Sequence, residues 1–326
     1  MKIFKKIVSF FFVIIIAFFL FFFWASSATM DKNEYAKLQT YSHPSTTDND
    51  SIFSIVTYNI GYLSGMTNNL SVATPKELFD KNLEKVLQET KIVNPDIIAF
   101  QEIDYNASRS YAVNQQNEIA KLGYNYVAEA VNWDETYVPF PYWPPSVHFG
   151  KIVSGQSILS KYTLKDHKRI VLERVASSPF YEDALYLDRL AQVATVTLNN
   201  QEVVLINVHL EAFDKPTRVR QFDAVLKLFN EYKEQYPTIL LGDFNSLATD
   251  KDAVIQQLFS LDDVGNAAFD KENPSKTYNS ETPTERIDYI FYTKNTIEYI
   301  DGSVLNQFKQ ASDHLPVAMK FRLKKQ

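Results

Sequence analysis

Asn59, Glu102, His209, Asp243 and Asn245 share one feature: each closes a run of apolar or β-branched residues. The clearest case is Thr238 to Leu241, which runs into Gly242-Asp243-Phe244-Asn245. Residues i and i+2 of an extended chain point to the same side. Asp243 and Asn245 should therefore face one pocket while Phe244 packs away from it. Two further constellations lie towards the C-terminus. Arg286-Ile287-Asp288-Tyr289 sets an acid inside an otherwise apolar strand, and a carboxylate is costly to bury without a partner. Ser312-Asp313-His314 puts an acid beside an imidazole just before a final strand.

These residue types suit hydrolysis of a phosphate ester. Glu102 and Asp313 are hard oxygen ligands and Asn59 is a neutral one. With no cysteine in the chain, such a set favours Mg2+, or Mn2+, over zinc or an iron–sulfur cluster. The metal would neutralise phosphate charge and stabilise the leaving oxygen. Asp243 would orient or deprotonate the attacking water. Asn245 and His209 would hold the non-bridging oxygens. Asp288 would fix the tautomer and charge of His314, and a cationic His314 would stabilise the pentavalent transition state. Taken singly, Asn59 and Asn245 read as turn formers, Glu102 as a solvated strand end, His209 as a satisfied strand-end histidine, and Asp313-His314 as a surface turn. Six such coincidences in one chain are harder to accept than one site, because ligand sites in α/β sheets collect at the carboxyl ends of strands.

The elements that would position these groups can be traced in order. Ile52 to Ile60 is a β-branched strand. Thr74-Pro75-Lys76-Glu77 reads as a helix start with a threonine cap and a capping-box glutamate, and Asn94-Pro95 ends that helix. An apolar strand leads to Gln101-Glu102, a helix is expected at 113–122, and a strand at 124–131. Residues 132–150 carry Trp133, Tyr137, Phe140, Tyr142, Trp143 and Phe149 among four prolines, which predicts an aromatic loop with no strand. Strands are expected at 152–159, 168–174, 185–198 and 203–208. A helix then leads to the 237–242 strand. A short capped helix at 249–259 and strands at 286–292, 296–301 and 316–323 complete the pattern.

Composition bounds the rest. The chain has 326 residues with 45% hydrophobic and 22% charged content, which is globular. Residues 1–28 form a targeting segment: Lys2, Lys5 and Lys6 precede an apolar run from Ile7 to Ala25 that is long enough to span a bilayer. Its length favours an uncleaved anchor, with the following domain outside the cytoplasm by the positive-inside rule. Cleavage at Ala25-Ser26-Ser27-Ala28 would instead secrete the domain. Residues 29–50 read as a polar tether and 51–326 as one catalytic domain. Removing the three lysines of the segment leaves 30 basic against 39 acidic residues, a net charge of −9. That acidity disfavours tight non-specific nucleic-acid binding, although a bound cation reverses the sign locally.

In the order Thr57-Tyr58-Asn59-Ile60, Gln101-Glu102, Gly155-Gln156-Ser157-Ile158-Leu159-Ser160, Asn207-Val208-His209-Leu210, Gly242-Asp243-Phe244-Asn245, Arg286-Ile287-Asp288-Tyr289 and Ser312-Asp313-His314, the chain resembles the endonuclease/exonuclease/phosphatase superfamily, the DNase-I-like fold. The resemblance implies a four-layer α/β/β/α sandwich of two mixed sheets. It also implies Mg2+-dependent phosphoester cleavage without a covalent intermediate. Carried over, Glu102 would ligate the metal with Asn59 and Asp313, His209 would contact phosphate, and Asp288 would pair with His314. One departure is Gly61, where some nuclease branches carry an acid. Basic DNA-contacting loops are also absent, so nucleic acid is a less favoured substrate.

The leading expectation is a monomeric, membrane-anchored, extracytoplasmic phosphohydrolase acting on a phosphodiester or phosphomonoester. The aromatic loop points to a lipid head group, with Tyr142 and Trp143 as substrate contacts. A secreted or tethered nuclease and a non-catalytic binding module on the same fold are the alternatives.

Overall fold

A computed structural model describes residues 1–46 and 51–325. In chain order the elements are α1 (Lys2–Ala25), β1 (Ala36–Thr40), β2 (Phe53–Asn59), α2 (Lys76–Val93), β3 (Ile97–Asp104), α3 (Gln115–Ala120), β4 (Tyr126–Val138), β5 (Gly150–Ser160), β6 (Leu164–Val171), α4 (Phe180–Asp183), β7 (Leu190–Leu198), β8 (Gln201–His209), α5 (Lys215–Lys233), β9 (Thr238–Asp243), α6 (Gln256–Phe259), β10 (Val264–Asn266), β11 (Asp288–Thr293), β12 (Ile297–Val304) and β13 (Val317–Leu323). The strands form a seven-stranded sheet, ordered β1-β4-β5-β3-β2-β13-β12, and a six-stranded sheet, ordered β10-β11-β9-β8-β7-β6. Both sheets are mixed, as expected.

The two sheets are buried on both faces, which is why their strands read as continuous apolar runs. Alternation assigns the faces. Ile55, Ile97 and Ala99 from the first sheet meet Leu205, Ile239 and Leu241 from the second in a central core. Their neighbours Val56, Ile98 and Phe100 turn outward under α2 and α3, beside Phe79, Val86 and Ile119. Ile206 and Leu240 turn outward under α5 and α6, beside Phe222, Phe229 and Leu258. This is the α/β/β/α sandwich.

Each sheet holds one parallel pair made by a helical crossover: β2 and β3 through α2, and β8 and β9 through α5. Parallel pairing brings the carboxyl ends of both strands to one sheet edge. Register does the rest. His209 lies opposite Asp243, Asp243 lies opposite Asp288 across an antiparallel pair, and Asn59 lies opposite Gln101.

Several sequence expectations need correction. The segment 29–50 is not a free tether among its described residues. Asp31 caps a short 3-10 turn, and β1 pairs antiparallel with β4 from Ala36–Ala130 to Thr40–Tyr126. Five alternating half-polar residues on an edge give little hydrophobic signal. Residues 47–50 of the expected tether lie outside the described residues. The aromatic stretch 132–150 is strand as far as Val138, because its first proline is Pro139, and the loop is confined to 139–149. Trp133 accordingly belongs to the buried face of β4. The helix expected to be capped by Thr74 starts at Lys76, with Pro75 at the cap position and no side-chain cap. Thr74 Oγ1 instead pairs with Thr67 Oγ1 at 2.9 Å. The helix expected over 249–259 is reduced to α6, preceded by turns.

Candidate active site

The residues singled out by chemistry converge at one edge of the sandwich. Asn59 is the hub. Its Nδ2 donates to Asp243 Oδ2 at 3.0 Å and to Glu102 Oε1 at 3.2 Å, and its Oδ1 accepts the Gly61 N–H at 3.1 Å. His314 Nδ1 meets Asp288 Oδ2 at 2.9 Å, and its Nε2 lies 3.8 Å from Asp243 Oδ2. His209 Nε2 lies 3.5 Å from Asp243 and 3.7 Å from Glu102. Asn59, Asp243, Asp288, His209, Asp313 and His314 are all buried.

Local backbone explains two placements. Glu102 does not end β3. It sits in a bulge between Phe100 and Ile103 at φ +52°, a conformation that swings its side chain out of the pleat towards the site. Asn245 lies beyond β9 at φ +47° rather than extended, so the i, i+2 argument reaches the correct outcome by a different geometry. Its backbone N–H donates to Asp243 Oδ1 at 2.9 Å, its amide donates to the Leu210 carbonyl at 3.0 Å, and it still lines the cavity.

The electrostatics divide the groups. Burial pushes the Asp243 carboxyl up to about 7, the Asp288 carboxylate adds to this, and His314 opposes it. Burial would lower His314, but the carboxylates of Asp288 and Asp243 overcome it and hold the imidazole well above its ordinary range, protonated. Burial drives His209 the other way, helped by the Arg189 guanidinium and by His314. Arg189 Nη1 lies 2.5 Å from His209 Nε2. A guanidinium can only donate, so His209 is neutral and carries its proton on Nδ1.

Asn68 and Arg189 were not singled out from sequence. Asn68 Nδ2 donates to Glu102 Oε2 at 3.0 Å and to Asp313 Oδ1 at 3.2 Å, bridging the two acids. It occupies space opened by Gly61, where a Cβ would stand 2.8 Å from Asp313 Oδ1 and 3.2 Å from Asn68 Nδ2. The departure at residue 61 is therefore built into the packing: an acid there has no room. Asn68 lies in a polar loop with no periodic signal. Arg189 read as part of a strand, and only its burial beside His209 and Glu211 reveals it.

Above this floor opens a cavity of about 690 Å3. Arg109, Arg189, Arg218 and Lys215 contribute cationic groups to its lining, while Trp133, Phe140, Tyr142, Phe149 and Phe213 contribute aromatic ones. Arg109 is held by Asp104 at 2.9 Å and stacks 3.4 Å from the Tyr62 ring centroid. Tyr142 lines the cavity at its exposed rim. Trp143, 77% exposed, is not among the residues that line it.

Among the described residues, two groups are able to hold a cation. Ligand atoms of Asp243, Asp288 and His314 lie within 4.8 Å of one another. A protonated His314 bound to Asp288 is nevertheless an ion pair, not a metal ligand. Glu102 and Asp313 are different: only the neutral amide of Asn68 stands between two carboxylates. Burial first, and Asp313 second, push the Glu102 carboxyl above its ordinary value. His314 and the amides of Asn68 and Asn59 offset this only in part, and an oxygen-rich pocket that keeps excess negative charge fits a hard divalent cation.

The chain matches the family model described as the Endonuclease/Exonuclease/phosphatase family over residues 56–314. Two curated relatives, UPF0294 proteins from Vibrio cholerae, are 28% identical over 126 residues, covering 38% of this chain and 42% of theirs. The chain thus spans about two fifths of the length of the curated relatives it matches. Among solved structures, an endonuclease/exonuclease/phosphatase from Beutenbergia cavernae superposes with a TM-score of 0.60 at 19% identity, over 84% of this chain and 72% of that one. The human Nocturnin catalytic domain with bound sulfate gives 0.57 at 19%, over 91% and 100%. A humanised Danio rerio TDP2 gives 0.57 at 17%, over 84% and 100%. At these identities the likeness concerns the fold.

Proposed function

The chain belongs to the endonuclease/exonuclease/phosphatase family, whose members are generally metal-dependent phosphoester hydrolases, and on that premise we propose that it is a membrane-anchored, extracytoplasmic, Mg2+-dependent hydrolase of a phosphodiester borne on a lipid head group. The observation that carries the reaction is the cluster of Asn59, Glu102, Asp243, Asp288 and His314, joined by hydrogen bonds and a 3.8 Å ion pair, of which Glu102, Asp243 and His314 line one cavity. The anchor rests on α1, 24 residues long, whose most apolar 18-residue window has a mean hydropathy of 2.9.

Glu102 and Asp313, with Asn59, are the residues we assign to the cation. Bound there, Mg2+ (or Mn2+) supplies charge neutralisation at the phosphate and at the leaving oxygen. Asp243 accepts the proton of the attacking water, a role suited to a carboxyl whose affinity for protons is raised to near neutrality. Asp288 holds His314 as an imidazolium, and that cation faces the charge developing on the phosphoryl oxygens. Asn245 holds a non-bridging oxygen, and His209, whose Nε2 accepts from Arg189, positions the donor for the others. The donor that meets them beside His209 is the Arg189 guanidinium, which already points at His209 Nε2. Tyr142 flanks the leaving group at the rim.

The lipid reading rests on a cavity lined both by the buried guanidinium of Arg189 and by the exposed aromatic side chains of Tyr142 and Phe213. The test is a substrate panel for the full chain: phospholipids, sphingomyelin, aryl phosphodiesters and plasmid DNA, each with Mg2+ and with EDTA. Turnover of a lipid diester that stops in EDTA is the expected result. Preferential degradation of plasmid would transfer the assignment to a nuclease.

A further inference from the structure

We infer that the C-terminal turn of α1 is a rigid part of the domain and seats the cavity's aromatic rim on the bilayer that α1 crosses, so that the phosphoester enters from the membrane surface. This rests on the reading of α1 as a retained anchor.

The junction has no slack. Trp24 stacks on Tyr137 at 6.0 Å, Phe21 meets the same ring edge-on at 5.9 Å, and Phe22 packs against Phe180 at 5.8 Å. Phe22 and Ala25 are buried, whereas the rest of α1 up to Phe21 is exposed. The chain then clamps onto β4 at once. Thr136 N–H donates to the Ser27 carbonyl at 2.9 Å, and their hydroxyls lie 3.0 Å apart. Asp134 accepts from the backbone N–H groups of Thr29 and Met30, each at 2.9 Å. A 24-residue helix is about 36 Å long, enough for a hydrocarbon core of about 30 Å. Its end therefore places the bilayer boundary against β4 and α4.

Both elements are walls of the cavity mouth. Phe180 belongs to α4, which also supplies Glu182 to the lining. Tyr137 reaches the rim loop through His148, at 2.7 Å on Nδ1, and His148 Nε2 lies 3.1 Å from the Tyr142 carbonyl. Phe180, against Phe22, is 69% exposed, and Tyr142 and Trp143 on the rim loop and Phe213 in the cavity lining are 62%, 77% and 85% exposed. Large aromatics left in water need a reason. Lipid is the occupant that suits them: Phe180 and Tyr137 join this region to Phe21, Phe22 and Trp24 of α1, and Trp and Tyr concentrate at bilayer interfaces.

The chain has no cysteine, so one introduced thiol can carry one label. The full chain is reconstituted in nanodiscs with brominated phosphatidylcholine, and bimane is attached in turn to Val13→Cys, Trp143→Cys, Phe180→Cys, Phe213→Cys and Ile300→Cys. Ile300 is an exposed residue of β12, at the opposite edge of the first sheet from β1 and β4. Quenching at 143, 180 and 213 at least twice that at 300 is the expected result. Quenching at 13 with the three rim positions no stronger than 300 would overturn the seating while leaving the anchor intact. No quenching at 13 would remove the anchor and this inference together. Neither result depends on whether the domain is a hydrolase.

Discussion

Asp243 and His314 are the residues where the chemistry is most exposed to test. Asp243→Asn keeps the size, gives up one of the two hydrogen bonds accepted from Asn59 and Asn245 and removes the base, so turnover should fall by about 10²–10⁴-fold while circular dichroism stays unchanged. Steady-state hydrolysis of an aryl phosphodiester checks this, and retention of full rate would remove Asp243 from the mechanism. Gly61 makes a sharper case. At φ +53°, with Asp313 and Ser312 atoms 2.8 Å from where a Cβ would stand, Gly61→Ala should cost about 1 kcal/mol or more. It should also weaken Mg2+ binding, read as a lost thermal shift on titration with the metal. At this scale the sequence was informative about residue types and silent about neighbours. Asp288 could be singled out because a buried acid needs a partner, and that partner is His314. Asn68 could not, because an asparagine in a polar loop looks the same whether it faces water or two carboxylates.

Strands and their registers decide how those residues meet. The parallel crossovers through α2 and α5 were legible as strand–helix–strand patterns, and so was the shared edge. The bulge that turns Glu102 was not, because a bulge is a mismatch with a partner strand that only pairing reveals. Edge strand β1 was missed for a related reason: its five residues stabilise the sheet through backbone pairing with β4 more than through burial. Between the sheets, Leu241→Ala should lower stability by about 2–5 kcal/mol, measured by urea denaturation, because Leu241 is fully buried against both sheets. On β6, burial lowers His167 to about 4. Its native value lies below the unfolded 6.5, so the folded state binds fewer protons and stability falls as pH drops from about 6.5 to 4. The loss is at most about 3 kcal/mol by the usual conversion of pKa units. His167→Gln should flatten the acid limb of a stability–pH curve over that window, and an unchanged slope would show that His167 opens to solvent before it titrates.

The whole molecule combines an acidic α/β/β/α domain with an apolar helix, and composition alone separated these two parts. Composition did not foresee that the segment between them is clamped by Asp134 and woven into the first sheet, since hydrogen bonds to a distant strand leave no local trace. Removal of metal should stop turnover entirely. It should also lower the melting temperature in the presence of excess EDTA, because the cation offsets the Glu102–Asp313 repulsion. Differential scanning fluorimetry with and without Mg2+ measures this apart from activity.

The position of β13 has a consequence in time. It is the last strand of the chain, yet it sits inside the first sheet, between β2 and β12, with Val317 opposite Thr57. Asp313 and His314 stand at its threshold. Pairing across so long a stretch of chain is slow to form, and until it forms the acid and the imidazolium have no fixed place beside Asn59. A chain still emerging from the ribosome therefore carries every other member of the cluster but not the assembled site. The geometry delays completion of the site until β13 has docked.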